Sequence, residues 1–329
     1  MRDTLEQFEN WLRSDQDRGE LTVKAYLADV QGFVAWWQQT HGGRQFDLVA
    51  VTPTDIKDYR SRLTTVNRQK TSSVNRRLAT LRTFYKWAML HDRVGRSPLS
   101  GLKMDRQQKA APRWLDPRAE YYFQQAIEQR LQLLPPDGAL TPTDRLIIRD
   151  AAMIALMWKA GLRVSEVAAL DVDDVKIQSS QRGVATVRLG KGRKSREVPL
   201  NAGVIAALRD WLKIRPTSGH ASALFTSKTG RRLAPRAIQA VVEQLGRVAA
   251  SKVPARGNDE REIIEALNAL SPHVLRHTCG KRLLDAGAQL TEVAEILGHD
   301  DLNVTRRYTQ PGAADLQRAA DRISTIEVQ

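Results

Sequence analysis

Apolar residues recur at helical spacing along the chain as far as Leu90, lose that rhythm between Gly95 and Pro112, and resume in a mixed pattern from Trp114. The interruption carries Gly, Pro, Ser and scattered basic residues, a composition suited to a solvated connection and not to a packed core. The sequence must therefore build two cores, and its 329 residues are long enough for both. We expect an all-helical domain over residues 1–100, a linker over 101–113 and a larger domain over 114–329.

In the first domain Leu5, Phe8, Trp11 and Leu12 share one helix face, as do Val23, Tyr26, Leu27, Val30, Phe33 and Trp37 on a second helix. Thr52-Pro53 opens a third, with Thr as N-cap and Pro at the first helical position. A fourth is expected from Ser73 to Leu90, striped by Val74, Leu78, Leu81, Phe84, Tyr85 and Ala88. Its other face carries Asn75, Arg76, Arg77, Arg82 and Lys86, a surface suited to phosphates.

Charge points the same way. Lys plus Arg is 51 against 37 for Asp plus Glu, a net charge of +14, which favours a polyanionic partner. Between Lys57 and Arg113 there are fifteen basic residues and three acids, Asp58, Asp92 and Asp105. No apolar run is long enough to span a membrane, and the start of the sequence shows no export signal. Cys279 is the single cysteine, which excludes an internal disulfide framework and fits a reducing cytosol. A small buried filler is the expected role for it.

The second domain reads as helices over Arg118–Leu134, Asp144–Ala160, Val164–Leu170, Ala202–Lys213, Pro235–Ala249, Pro272–Asp285 and Thr291–Leu297. One hairpin interrupts them, with strands Val184–Leu189 and Arg196–Leu200 around the Gly190-Lys191-Gly192-Arg193-Lys194 turn. Leu133–Thr143 and Val253–Glu262 read as loops or insertions.

Four segments hold polar residues that core packing does not explain. Arg163 follows Gly161-Leu162 at a helix start, one turn before Glu166. A surface ion pair there would be worth little; flanked by Leu162, Val164 and Val167, a half-buried guanidinium aimed at an oxyanion is the better reading. Lys191 sits at the hairpin tip between two glycines, beside Arg193 and Lys194. Ser271-Pro272 opens the helix bearing His273, Arg276 and His277 at i, i+3 and i+4. The two histidines have metal-ligand spacing, but the Glu of the zinc-protease helix motif is missing and an intervening Arg repels a cation, so no metal is expected. Last come His299, in Leu297-Gly298-His299, and Arg306-Arg307-Tyr308.

Taken together, Arg163, Lys191, the His273-x-x-Arg276 pair, His299 and Tyr308 resemble, in order and spacing, the catalytic set of the tyrosine recombinase (phage integrase) family, and its Xer-like members in particular. Arg276 and His299 are 23 positions apart, and His299 and Tyr308 nine. Gly-Leu-Arg-Val-Ser-Glu, Ser-Pro-His-Val-Leu-Arg-His and Leu-Gly-His look like family motifs, and Val74-Asn75-Arg76-Arg77-Leu78 to Phe84-Tyr85 is similar to the core-binding domain. The departures are two longer loops and Cys279-Gly280 in place of an aromatic-Ala pair. By the same resemblance, no added arm-binding domain is expected ahead of the core-binding domain.

The resemblance implies a mainly α fold: an all-helical SAM-like core-binding domain followed by a mixed α+β tyrosine recombinase catalytic domain. It implies a site-specific recombinase that cleaves and rejoins DNA through a 3′-phosphotyrosine, with no metal, ATP or other cofactor. By that resemblance Tyr308 is the nucleophile, Arg163, Arg276 and His299 hold the phosphate oxygens, His273 handles the tyrosine proton and Lys191 protonates the leaving 5′-oxygen. Glu166 and His277 orient these groups, and Arg76, Arg77, Arg82, Lys86, Arg193 and Lys194 contact DNA. The implied partners are double-stranded DNA with a specific recombination site and further copies of the chain, as a clamp around the duplex and a tetramer at synapsis. Leu316, Ala319, Ala320 and Ile323 are a candidate face for subunit docking. The expected location is the cytoplasm, at the nucleoid. Two other readings of the same residues are a type IB topoisomerase-like nicking-closing enzyme and a non-catalytic DNA-binding factor.

Overall fold

The computed structural model describes residues 1–16, 20–104, 114–135, 139–188, 195–216, 222–254 and 257–298. The chain divides into two compact units, Met1–Ala110 and Ala111–Gln329.

Among the described residues the first unit is built from four helices, α1 (Arg2–Ser14), α2 (Glu20–Thr40), α3 (Pro53–Thr65) and α4 (Thr71–Leu90). Its core is the set of stripes expected from the sequence: Phe8, Leu12, Phe33, Leu78, Leu81, Phe84 and Tyr85 are fully buried. Aromatic rings interlock at its centre, with Phe8 edge-on to Phe84 at a centroid distance of 5.0 Å. Thr52 caps α3 as expected, and Asp55 completes the reciprocal pair by accepting from the Thr52 backbone N–H at 2.8 Å.

The stretch that opens the expected linker still touches the helices. Leu102 and Met104 pack against the helical core, and the Leu102 carbonyl accepts from Arg82 Nη2 at 2.9 Å. Residues 101–104 thus belong to the first unit, because two apolar side chains within a short basic stretch still find a hydrophobic surface.

The second unit contains α5 (Pro117–Gln132), α6 (Pro142–Trp158), α7 (Val164–Ala169), α8 (Ala202–Ile214), α9 (Pro235–Ala250), α10 (Asn258–Asn268), α11 (Pro272–Asp285) and α12 (Leu290–Leu297). A three-stranded antiparallel sheet, β1 (Val175–Ile177), β2 (Gly183–Val187) and β3 (Arg196–Leu200), runs in the order β1-β2-β3. The expected hairpin is β2–β3, with Ala185 opposite Val198. Strand β1 was not anticipated, since three residues are too few to show alternation.

A second difference is α10, which starts inside the stretch read as the loop Val253–Glu262. Asp259 and Glu260 in its first turn complement the helix dipole, and Ile263 and Leu267 bury on one face. One apolar side of a single short, highly charged helix is a weak sequence signal. Helix α6 forms the spine of this unit, with every residue from Ala152 to Trp158 buried; Arg276 and His277 face the interior from α11.

Candidate active site

Three backbone segments meet around one carboxylate. Arg163 is the N-cap of α7, and Glu166, one turn on, accepts from the Arg163 backbone N–H through Oε2 at 2.8 Å. Glu166 Oε1 accepts from Arg163 Nη1 at 2.8 Å. From β3, Arg196 closes a two-pronged contact on the same carboxylate, Nη1 to Oε1 at 2.9 Å and Nη2 to Oε2 at 2.8 Å. From α11, Arg276 Nη1 lies 3.9 Å from Glu166 Oε2. Three guanidinium groups therefore surround one carboxylate, and the cluster carries a net positive charge.

Backbone carbonyls hold the arginines in place. Arg276 donates to the carbonyls of Gly161 and Leu297, and Arg163 Nη2 donates to the Gly298 carbonyl at 2.7 Å. The chain at both points takes a left-handed turn that suits glycine: φ is +71° at Gly161 and +62° at Gly298. A Cβ at Gly161 would come within 2.5 Å of Leu297 Cδ2, and one at Gly298 within 2.8 Å of the Arg196 guanidinium. The Gly-Leu-Arg and Leu-Gly-His signatures are thus the two walls that let the arginines converge.

Exposure differs among these groups. The Arg276 side chain is 3% exposed and that of Glu166 10%, whereas Arg163 is 39% exposed. Arg163 is therefore the more open of the two arginines, and Arg276 is anchored by the Gly161 and Leu297 carbonyls. Burial alone pushes the Glu166 carboxyl up, but the Arg196 hydrogen bonds, the Arg163 backbone N–H and the charge of Arg196 outweigh it, holding it below its ordinary value. Glu166 is ionised at neutral pH and serves as a fixed anchor for the arginines.

On α11, Ser271 caps the helix by accepting from the Val274 N–H at 3.4 Å, and Pro272 takes its first position. His273 and His277 rings meet edge to face, with their Nε2 atoms 2.8 Å apart. One of these nitrogens donates and the other accepts, so the two rings fix each other's tautomer. His277 is buried and His273 exposed, which puts His277 behind His273 as its support. The i, i+3, i+4 spacing is as read, but it does not place all three groups on one open face. Among the described residues no group of three or more His, Cys, Asp or Glu could hold a metal ion.

Lys191, Arg193, Lys194, His299, Tyr308 and the candidate docking residues Leu316, Ala319, Ala320 and Ile323 lie outside the described residues. In the first unit the basic residues of α4 divide into two kinds. Arg76 grips Asp29 with both terminal nitrogens, and Arg77 Nε lies 3.9 Å from the same carboxylate. Asp29 is 3% exposed, so these two arginines tie α4 to α2. Arg76 is itself exposed, so what sets it apart is its pairing with Asp29. Arg82 and Lys86, with no such pairing among the described residues, lie exposed beside Met89, Ser97, Ser100 and Gly101, around a basic hollow of about 450 Å³.

Residues 138–314 match the Phage integrase family, and residues 5–92 match the Phage integrase, N-terminal SAM-like domain. The chain belongs to the phage integrase family. It is 32% identical over 310 residues to the tyrosine recombinase XerC of Alcanivorax borkumensis, covering 90% of this chain and 91% of that protein. It is also 32% identical over 319 residues to the XerC of Azotobacter vinelandii, covering 94% and 91%. Among solved structures, the XerH site-specific recombinase bound to palindromic difH substrate matches with a TM-score of 0.66 at 19% identity, over 96% of this chain and 84% of that one. The Tn1549 transposon integrase in complex with circular intermediate DNA matches with a TM-score of 0.66 at 19% identity, over 96% and 98%. At these identities the structures establish the fold: a SAM-like helical domain followed by a mixed catalytic domain.

Arg196 was not singled out from the sequence, although a signal was there. In β3 the residues Arg196, Val198 and Leu200 share the inward side of the strand, with Glu197 and Pro199 exposed. A charged residue at an inward position of an alternating strand demands a buried counter-charge.

Proposed function

We propose that the protein is a site-specific DNA recombinase that cuts and rejoins DNA strands through a covalent tyrosine intermediate. The observation that carries this reading is the convergence of Arg163 and Arg276 on ionised Glu166, within a chain of the phage integrase family. Guanidinium forks match the non-bridging oxygens of a phosphodiester, and preorganised donors of this kind are worth roughly a hundredfold to a thousandfold each in rate.

In the reaction, the Tyr308 oxygen attacks phosphorus and gives up its proton to His273. The bond from phosphorus to the 5′-oxygen breaks, and Lys191 protonates that oxygen as it leaves. The product is a 3′-phosphotyrosine and a free 5′-hydroxyl. Attack by a 5′-hydroxyl from a second strand reverses the step and rejoins the DNA. The phosphotyrosine conserves the energy of the broken bond, so the exchange needs no nucleotide. Arg163, Arg276 and His299 stabilise the charge that builds on the non-bridging oxygens, while Glu166 and His277 hold their neighbours in place.

The partners on this reading are duplex DNA bearing a specific site and further copies of this chain, assembled as a tetramer at synapsis. Its action on DNA puts it at the nucleoid, in the cytoplasm. Among the described residues no helix is long and apolar enough to cross a membrane.

The test is a nicked duplex, selected by binding from a randomised library, on which the cut strand's 5′ end diffuses away and traps the adduct. The expected result is a covalent protein–DNA species on a denaturing gel that disappears in Tyr308→Phe while DNA binding persists. An adduct surviving that change means another nucleophile; no adduct with the wild type overturns the reading. Relaxation of plasmid regardless of sequence would instead indicate a topoisomerase.

A further inference from the structure

We infer that Arg196 is a positioning residue of the recombination site, whose role is to neutralise Glu166 so that Arg163 keeps its charge for the DNA phosphate. This rests on the proposed recombinase reading and adds a residue to it. Four observations lead there.

Glu166 accepts from Arg163 both at the backbone and at Nη1. A carboxylate in that position competes with phosphate for the same guanidinium. Arg196 meets this competition by engaging both Glu166 oxygens at once, in the two-pronged geometry that a carboxylate binds best. The Arg196 and Glu166 side chains are 11% and 10% exposed, so solvent does little to weaken the pair. Arg163, by contrast, is 39% exposed and is the member of the cluster open to a ligand.

The location adds a second consequence. Arg196 is the first residue of β3, two positions beyond the Gly190–Lys194 stretch that the sequence reads as the turn bearing Lys191. Its Nε points at the Ile296 carbonyl at 3.5 Å, and its guanidinium fills the space over Gly298. One side chain therefore ties the base of the Lys191 hairpin to α7 and to the end of α12. The first residue of β3 is thereby held in register with the arginines.

Charge counting gives the decisive test. The wild-type cluster of Arg163, Arg196, Arg276 and Glu166 has three positive charges and one negative. Arg196→Gln leaves the Glu166 charge unshared on Arg163, which already donates to it at 2.8 Å, and Glu166→Gln in the same chain removes that competing anion and restores the wild-type net charge. Adduct formation is measured in single-turnover mode on the selected nicked duplex, alongside DNA affinity. Arg196→Gln is expected to slow the adduct rate by about tenfold or more, as a small misplacement of a catalytic group can, with DNA affinity essentially unchanged. The Arg196→Gln/Glu166→Gln double variant is expected to be faster than Arg196→Gln alone. A double variant as slow as the product of the two single effects, or a single variant at wild-type rate, would overturn the inference.

A urea-unfolding cycle on the same four proteins, without DNA, separates the two levels. If the wild type makes no adduct, the recombinase reading fails. The cycle still decides the link, because coupled midpoints support the Arg196–Glu166 pairing and additive midpoints reject it.

Discussion

Arg196 and Glu166 form a two-pronged buried ion pair between the root of a β-hairpin and the first turn of α7, with both contacts at or below 2.9 Å. Its energetics follow from burial. A buried pair adds little net stability over an apolar pair, but losing one partner strands the other charge away from water. Glu166→Ala strands Arg196, whose side chain is 11% exposed, and removes the neighbour of Arg276. The expected loss is ~3–5 kcal/mol in urea unfolding. A loss below ~1 kcal/mol, the range of a surface pair, would mean that the carboxylate is solvated.

The same carboxylate sets an acid limit. Glu166 has its folded-state pKa depressed below the ordinary value of 4.5. A depressed carboxylate contributes stability that is fully present above the unfolded value and is lost as pH falls through the folded one. Stability of the wild type should therefore fall more steeply below pH 4.5 than that of Glu166→Gln, and the two curves should differ by a constant amount above it. Parallel curves down to the acid transition would remove Glu166 from the ionised anchor role.

Gly161 and Gly298 bring the arginine walls together, and each should resist even a methyl group. Gly161→Ala must hold φ near +71°, a conformation costing an L-residue ~1–2 kcal/mol, and must also displace Leu297. The strain and the clash together should exceed the cost of either alone. The informative readout is the adduct rate at a temperature where the variant remains folded, because Leu297 also carries a carbonyl that receives Arg276. A folded Gly161→Ala protein with wild-type rate would show that the wall tolerates displacement.

Cys279 offers a check on the packing behind this site. It is 4% exposed, lies against Gly161, and burial pushes its thiol up to about 11. At pH 8 it is a protonated, enclosed thiol, so iodoacetamide should label it slowly in the folded protein and rapidly in urea. Fast labelling of the native protein would mean that α11 separates readily from the Gly161 turn.

The helical domain was legible because its information is periodic: Val74, Leu78, Leu81, Phe84, Tyr85 and Ala88 are all buried, as their spacing requires. Arg163, Glu166 and Arg276 were legible for a different reason, since each sits in a short motif whose glycines and caps have a local physical purpose. What the sequence hid were relationships across the fold. Arg196 meets Glu166 only after β3 is laid beside α7, thirty positions apart. The commitment of Arg76 and Arg77 to Asp29 spans 47 positions for Arg76, and no spacing rule connects α4 to α2. Helix α10 escaped because its two buried residues are outnumbered by charges.

That division of α4 separates two kinds of basic residue by experiment. Arg82 and Lys86 are exposed, so Lys86→Ala should weaken DNA binding about equally for all sequences and lower the slope of log affinity against log salt by about one. Arg76→Ala acts differently, because Asp29 is 3% exposed and would lose both of its Arg76 contacts. The helical unit should then lose stability, with a broadened or earlier first transition on heating, whether or not DNA is present. Asp29→Asn supplies the complement. It releases the arginines while keeping a hydrogen-bonding side chain beside Thr80, which donates to Asp29 at 3.0 Å, and so should steepen the salt slope relative to the wild type. A salt slope reduced by Arg76→Ala as much as by Lys86→Ala, with no loss of stability, would put Arg76 on the DNA and not on Asp29.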